Sequence, residues 1–154
     1  MNVKRIAVIG AGLMGAGIAY VSRASGYDVI MSDLDDQAIN RGLSRITEYI
    51  ESGIKRGKLH VQDKEKIISQ IVTTTDLGEA VSDVDLVIEA VFENMDVKKK
   101  LFKEMDHVAK PQTILASNTS SLSITELGKV TGRPGKVIGM HYFSPVPAMK
   151  LLEV

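Results

Sequence analysis

The chain has 154 residues, and its 19 lysines and arginines balance 19 aspartates and glutamates, so the formal net charge is zero. This length predicts one domain with a sizeable core, and the charge balance gives no reason to expect binding to nucleic acid or to an anionic membrane. The absence of cysteine excludes a disulfide, a thiol nucleophile and a thiolate metal site, so we expect no metal and a cytoplasmic location.

A β-branched run over residues 3–9 predicts a buried parallel strand, and a glycine-rich turn follows it. Gly10 permits the tight turn, and Gly12 lets the backbone approach a pyrophosphate. Gly15 removes a side chain where the next helix, 13–25, packs on the strand. The cofactor-binding residues predicted in this segment are Gly10, Gly12, Leu13, Met14 and Gly15.

A second strand, 28–32, places Asp33 about 20 residues after the glycine turn, where a carboxylate can accept hydrogen bonds from ribose hydroxyls. Because a carboxylate would repel a ribose 2′-phosphate, the pattern favours NAD over NADP. Two alternatives remain: an ordinary structural turn, and a secretory signal with Lys4 and Arg5 before an apolar stretch. Signal peptides are rarely so rich in glycine, and cleavage would destroy the strand.

Apolar residues at spacings of three and four predict a helix over 35–57, and a second helix is predicted over 62–70 with Asp63 or a neighbour as N-cap. Together they form a helical hairpin inserted between strands. Further strands are predicted over 71–75, 85–91, 113–117 and 136–142, and further helices over 76–81, 95–109 and 123–128. This alternation predicts an α/β fold with a doubly wound, mostly parallel Rossmann-type sheet, formed by residues 1–154 as one domain.

Polar side chains follow two of the predicted strands. Residues 117–121 all carry hydroxyl or amide groups, although a loop with a helix N-cap explains such a run equally well. His141 ends another strand, and Glu153 lies twelve residues further on. Ligands of open α/β sheets lie beyond the carboxyl ends of the strands, so His141 is a candidate general base. His60 and His107 are expected at the surface.

Four segments resemble the L-3-hydroxyacyl-CoA dehydrogenases, a family that includes the 3-hydroxybutyryl-CoA dehydrogenases. They are GAGLMG (10–15), EAVFEN (89–94), SNTSS (117–121) and HYFSPVP (141–147). The resemblance extends over the whole chain, with NAD as the implied cofactor. The activity it implies is oxidation of L-3-hydroxyacyl-CoA to 3-oxoacyl-CoA, or the reverse reduction, in β-oxidation of fatty acids or butanoate metabolism.

The resemblance also implies roles for individual residues. Ser120 would bind the 3-hydroxyl group of the substrate, His141 would remove its proton, and Glu153 would orient the imidazole. Contacts to the nicotinamide side of NAD are implied for Glu93, Lys98, Asn118, Ser120 and Ser144. Most relatives have asparagine at the position of Ser144. The hairpin corresponds to an arm that holds coenzyme A, so its phosphates could contact Lys55, Arg56 and Lys58; a solvated basic end is the alternative.

Enzymes of this family continue into an all-helical C-terminal domain, absent from this chain, that supplies an active-site asparagine and most of the homodimer contact. We therefore expect an isolated cofactor domain that binds NAD and is nearly inactive alone. Glu153, close to the chain end, is expected to be frayed and its pairing with His141 weakened.

Three other functions stay open. Another β-hydroxyacid dehydrogenase, of the hydroxyisobutyrate or phosphogluconate type, would generally use a lysine from its C-terminal domain and would lack this serine, histidine and glutamate pattern. A non-catalytic NAD-binding or structural protein is a second alternative, since relatives serve as lens crystallins. In the third, a separate helical subunit completes the site.

Overall fold

Six parallel strands form the central sheet in the computed structural model, which describes residues 2–154. The strands are β1 (Arg5–Ile9), β2 (Asp28–Ser32), β3 (Ile71–Thr74), β4 (Leu86–Glu89), β5 (Ile114–Ser117) and β6 (Val137–Gly139). Their order is β3-β2-β1-β4-β5-β6, and every neighbouring pair is parallel. This arrangement confirms the doubly wound α/β fold predicted from the sequence.

Helices connect the strands. They are α1 (Leu13–Ala24), α2 (Asp36–Lys55), α3 (Val61–Ile68), α4 (Leu77–Val81), α5 (Met95–Val108) and α6 (Ile124–Gly128), with a short 3-10 helix at Pro134–Lys136. The α2–α3 hairpin lies between β2 and β3, as predicted. Within residues 2–154, no helix has the length and apolar character needed to cross a membrane.

The core has an apolar layer on each face of the sheet. On one face, Ile18 of α1 and Ile46 and Ile50 of α2 are fully buried. On the other, Phe102 of α5 and Leu127 of α6 are fully buried. Because helices cover both faces, the inner strands must be apolar on both sides, and this explains why they appear in the sequence as continuous apolar runs.

The carboxyl ends of β1 and β4 form the crevice that positions the site. The chain leaves β1 towards β2 on one side, and β4 lies on the other side of β1. At such a reversal of strand order, the loops after neighbouring strands diverge and leave a crevice for a ligand. Gly10, Asp33, Ala90 and Asn118 each follow directly after one of the four inner strands, so this edge collects the residues singled out in the sequence.

The last predicted strand, 136–142, is wrong as a single element. β6 ends at Gly139, and residues 141–142 form a separate strand, β7 (His141–Tyr142), antiparallel to β8 (Leu152–Glu153). Met140 still donates a backbone hydrogen bond to the Ser117 carbonyl, at 2.9 Å. Since β5 ends at Ser117, the chain beyond Met140 has no strand to pair with in the sheet and turns to β8 instead.

The start of α3 also differs from the prediction, because His60 and not Asp63 is the N-cap residue. Asp63 lies in the first turn, where its carboxylate accepts a hydrogen bond from the backbone N–H of His60 at 2.8 Å. An acidic side chain three positions after the N-cap is the second half of a capping box. The sequence therefore indicated that Asp63 takes part in capping α3, but Asp63 is the third residue of the helix and His60 is the N-cap.

Candidate active site

The glycine loop between β1 and α1 fits a pyrophosphate. Gly10 has φ +103°, a conformation that favours glycine. A Cβ atom on Gly15 would lie 1.7 Å from the carbonyl oxygen of Gly10, so a side chain is excluded where α1 starts against the loop. A Cβ on Gly12 would have no atom within 4 Å. Open space beside Gly12, at the N-terminus of α1, is where backbone N–H groups can bind phosphate.

Asp33 is fixed against this loop. One carboxylate oxygen accepts a hydrogen bond from the backbone N–H of Ala11 at 2.7 Å, and the other accepts one from Leu34 at 2.7 Å. Each oxygen of a carboxylate has two acceptor sites, so Asp33 keeps the capacity to accept from ribose hydroxyls. The loop and the acid are therefore held together by the chain's own hydrogen bonds, and the residues present fit NAD.

A cleft of about 380 Å³ opens at the carboxyl edge of the sheet. Many of the predicted site residues line it: Met14, Glu93, Lys98, Asn118, Ser120, His141 and Ser144. The structure therefore brings together residues that are up to 130 positions apart in the chain. Leu13 is exposed at the start of α1 and does not line this cleft.

His141 and Glu153 form a pair set by strand register. They are direct partners across β7 and β8, and His141 Nδ1 lies 3.1 Å from a carboxylate oxygen of Glu153. The imidazole is 22% exposed and the carboxylate 71% exposed. The pairing of Glu153 with His141 is present, and the fraying expected for Glu153 stays a prediction. Because the contact uses Nδ1, Nε2 is the nitrogen available to a substrate.

The imidazole also packs against an aromatic ring. The ring centroids of His141 and Phe143 are 4.4 Å apart. Val146, three residues beyond Phe143, is buried, and a Cβ on Gly17 would lie 2.8 Å from its Cβ. The glycine at position 17 thus lets α1 contact the loop that follows β7, and this contact anchors the segment carrying His141.

A buried ion pair lies on the other side of the cleft. Lys98 of α5 is 1% exposed and Glu89 at the end of β4 is fully buried; their charged atoms are 2.7 Å apart. The Lys98 ammonium also lies 3.1 Å from Glu93. Glu89 further accepts hydrogen bonds from the Ser117 hydroxyl at 2.6 Å and from the Val91 N–H at 2.7 Å.

Glu93 is held in its charged form. Burial by itself would raise the pKa of Glu93, but hydrogen bonds from the Thr119 hydroxyl and the Lys98 ammonium, the positive charge of Lys98 and the Ser120 N–H together bring the pKa below its ordinary value. Thr119 and Glu89 lie in segments that the sequence singles out, but their supporting role was not predicted. A charged residue ending a strongly apolar strand was the available signal for Glu89.

Asn118 supports the segment that carries His141. Its backbone N–H donates to the Glu89 carbonyl at 2.8 Å, and its side-chain oxygen accepts from the Tyr142 N–H at 2.8 Å. Burial raises the pKa of Tyr142. Ser120 is exposed and lines the cleft near this segment. The polar run after β5 is therefore more than a helix cap, and the N-cap of α6 is Ser123.

The residues predicted for coenzyme A lie elsewhere. Lys55 ends α2, Arg56 follows it, and Lys58 lies in the turn before α3. All three are exposed, and none lines the cleft that contains His141. His60 and His107 are exposed, as predicted.

The strand order, the glycine loop and the acid after β2 define a dinucleotide-binding domain of the dehydrogenase type. Residues 5–154 match the model of the family described as "3-hydroxyacyl-CoA dehydrogenase, NAD binding domain", and the chain belongs to that family. The resemblance, and NAD as the cofactor, are confirmed.

Individual relatives agree with this assignment. The chain is 46% identical over 154 residues to a probable 3-hydroxybutyryl-CoA dehydrogenase of Bacillus subtilis, covering 100% of this chain and 53% of that protein. It is 44% identical to the human mitochondrial hydroxyacyl-coenzyme A dehydrogenase, covering 99% of this chain and 50% of that protein. The crystal structure of FadB2 from M. tuberculosis superposes with a TM-score of 0.95 at 38% identity, covering 99% of this chain and 53% of that one. The chain thus spans about half the length of these relatives.

Proposed function

We propose that this chain contributes the NAD site and the proton-accepting histidine to an enzyme that interconverts L-3-hydroxyacyl-CoA and 3-oxoacyl-CoA in fatty-acid or butanoate metabolism. The observation that carries the proposal is the His141–Glu153 pair, held in register beside a cleft that also contains Asn118 and Ser120. The relatives are named hydroxybutyryl-CoA and hydroxyacyl-coenzyme A dehydrogenases, and these names support the same chemistry. A cytoplasmic location is part of the proposal.

The glycine loop, α1 and Asp33 would hold the adenosine and pyrophosphate parts of NAD. Met14, Glu93, Lys98, Asn118 and Ser144 would surround its nicotinamide side. Bound NAD supplies the acceptor for the hydride that leaves C3 of the substrate. The overall reaction converts a 3-hydroxyacyl thioester and NAD⁺ into a 3-oxoacyl thioester, NADH and one proton.

His141 would take that proton from the C3 hydroxyl through Nε2. The Glu153 carboxylate would accept a hydrogen bond from Nδ1–H, which fixes the tautomer with a free Nε2 and stabilises the imidazolium once the proton arrives. Ser120 would donate a hydrogen bond to the same substrate oxygen and orient it towards His141. The proton and the hydride thus leave one carbinol group in two directions, towards His141 and towards the cofactor.

The phosphates of coenzyme A are proposed to contact Lys55, Arg56 and Lys58. The support is their exposure and positive charge at the end of the hairpin, since a polyanionic ligand gains from several flexible cations. Replacing the three by glutamine should raise KM for acetoacetyl-CoA and leave the affinity for NAD unchanged. An unchanged KM would assign them to a solvated basic end.

Longer relatives contain additional chain, and we propose that the helical domain implied by the resemblance closes over the acyl group and forms the homodimer contact. The test combines NAD titration of the 154-residue chain with NADH-dependent reduction of acetoacetyl-CoA, with and without an added helical domain from a longer relative. Turnover should increase strongly on addition. Full turnover without it would contradict the proposal, and NAD binding with no turnover in either case would favour a non-catalytic NAD-binding protein.

The His141→Gln variant tests the catalytic role directly. Loss of the general base should reduce turnover by a factor of about 10² to 10⁴, while the affinity for NAD, set mainly by the glycine loop and Asp33, should be nearly unchanged. Turnover is measured by NADH-dependent reduction of acetoacetyl-CoA. The condition used, with or without the added helical domain, is the one that gives the higher rate for the unmodified chain. An active His141→Gln variant would remove His141 from the mechanism.

A further inference from the structure

Two carboxylates face a single ammonium group at the carboxyl end of β4. Lys98 Nζ lies 2.7 Å from Glu89 and 3.1 Å from Glu93. Lys98 is the only lysine or arginine among the described residues that line the cleft. With both glutamates ionised, these three residues, here called the acid–lysine cluster, carry one net negative charge.

The positive charge of Lys98 is committed mainly to Glu89. The Glu89 side chain is fully buried, so water cannot solvate its charge. A buried carboxylate requires a counter-charge and hydrogen bonds, and Glu89 obtains them from Lys98, the Ser117 hydroxyl and the Val91 N–H. Glu93 is 43% exposed and lines the cleft. The net negative charge of the cluster is therefore presented to the cleft through Glu93.

We propose that the acid–lysine cluster strengthens binding of the oxidised, positively charged nicotinamide ring relative to binding of the neutral reduced ring. The inference rests on the proposed function, which puts the ring beside the carbon whose hydroxyl reaches His141. His141 and Glu93 line the same cleft of about 380 Å³, so a ring in reach of that carbon lies in the field of Glu93. A nearby charge acts on the cationic ring and to first order leaves the neutral ring unaffected.

The preference has a consequence for the direction of the reaction. Strengthening NAD⁺ binding relative to NADH binding makes the bound cofactor a weaker hydride acceptor, because the binding and reduction equilibria are linked. On the enzyme, the balance then moves towards the 3-hydroxyacyl thioester. A tenfold difference in affinity corresponds to about 30 mV for a two-electron couple.

The experiment is a direct titration of the chain with NAD⁺ and, separately, with NADH, followed by calorimetry or fluorescence. The quantity compared is the ratio of the two dissociation constants. Glu93→Gln should weaken NAD⁺ binding about tenfold more than NADH binding. Glu104→Gln is the matched control, because Glu104 is an exposed carboxylate on the same helix, 4.0 Å from Lys100 and outside the cleft. It should leave the ratio unchanged.

Glu89→Gln separates an electrostatic role from a structural one. Glu89 is fully buried and does not line the cleft, yet its neutralisation frees the Lys98 charge to compensate Glu93. The ratio should therefore change in the same direction as in Glu93→Gln. A purely structural role would weaken both cofactor forms by the same factor and leave the ratio as it was. If circular dichroism shows that Glu89→Gln does not fold, the Glu93→Gln result decides.

The outcomes distinguish this inference from the function on which it rests. Binding of both cofactor forms, with a ratio that Glu93→Gln does not change, would overturn the charge preference and leave the NAD site intact. Failure of the unmodified chain to bind either form would overturn the proposed NAD site, and the preference with it.

Discussion

Gly12 and Gly15 belong to the same loop but are required for different reasons. At Gly15 the obstacle to a side chain is the chain itself, the carbonyl oxygen of Gly10, 1.7 Å from an added Cβ. At Gly12 no protein atom lies within 4 Å of an added Cβ, so packing does not require glycine there, and close approach of a pyrophosphate is the predicted reason. Packing thus explains Gly15, and binding is the prediction for Gly12.

Gly15→Ala should destabilise the fold, by about 3 kcal/mol or more, because backbone must move to accommodate the methyl group. Gly12→Ala should cost less than about 1 kcal/mol, the usual range for an N-cap change, and should strongly weaken NAD binding. Urea unfolding and NAD titration of both variants check this. Equal stability losses in the two variants would contradict the division of roles.

Glu93 should make stability depend on pH. Its pKa in the folded chain is below the ordinary value of 4.5, so the ionised form stabilises the fold above that pH. This contribution is lost as the pH falls through the lower native pKa. In urea unfolding, the difference between the unmodified chain and Glu93→Gln should shrink as the pH drops below about 4.5. A difference that is constant with pH would contradict this, and Thr119→Val, which removes one stabilising donor, should reduce the pH dependence.

At the scale of elements, the hairpin begins at a well-defined cap. The Asp35 carboxylate accepts a hydrogen bond from the backbone N–H of Ala38 at 2.7 Å, at the start of the 20-residue helix α2. This helix packs closely on the glycine loop, because a Cβ on Gly42 would lie 2.9 Å from the Cβ of Ala11. The hairpin and the glycine loop therefore share an interface.

Asp35→Ala should lower stability by about 1 kcal/mol through loss of the cap, which corresponds to a fall in Tm of about 2–4 °C for a chain of this size. Gln37→Ala is the control, since Gln37 is exposed in the first turn of the same helix and alanine is an excellent helix former. Thermal unfolding of both variants is the measurement. A fall in Tm as large in Gln37→Ala would show that the cap is not the cause.

Helices and strands could be told apart in the sequence wherever the buried apolar residues followed a helical spacing or formed a continuous run. β1, β2 and β4 were recognised as apolar runs, and α2 was recognised from its spacing of three and four, because each of these elements buries a face that the sequence records. Element ends were less certain, since they depend on side-chain to backbone hydrogen bonds such as that of Asp63. The break between β6 and β7 left no local signal; it depends on where β5 ends.

At the scale of the whole molecule, NAD should stabilise the fold by mass action. At a free concentration 100 times Kd, the gain is about 2.7 kcal/mol, or an increase in Tm of about 5–10 °C for a chain of this size. NADP should give a smaller increase at equal concentration, because Asp33 would repel the 2′-phosphate. Gly12→Ala should show little increase. A Tm that does not change with NAD concentration would contradict the assignment of an NAD site to this chain.

The positions of the site residues were more predictable from the sequence than their roles. Residues that follow strand ends, such as Asp33, Asn118 and His141, could be expected to meet at one sheet edge, because parallel strands end on the same side. Their individual roles stay predictions. Glu89 and Thr119 also lie at or near strand ends, but their supporting role could not be predicted, because it depends on which side chains accept and donate hydrogen bonds at the cleft.

By itself, the sequence determined the class of fold, the glycine loop, the position of the acid expected to favour NAD and the candidate histidine, because each depends on local spacing and on burial patterns. Only the tertiary structure decided that β7 leaves the sheet to pair with β8, that Glu153 thereby reaches His141, and that Lys98 lies between Glu89 and Glu93. The physical reason is that pairing across strands and buried charge compensation join residues from distant parts of the chain, and no local pattern records the distance between them.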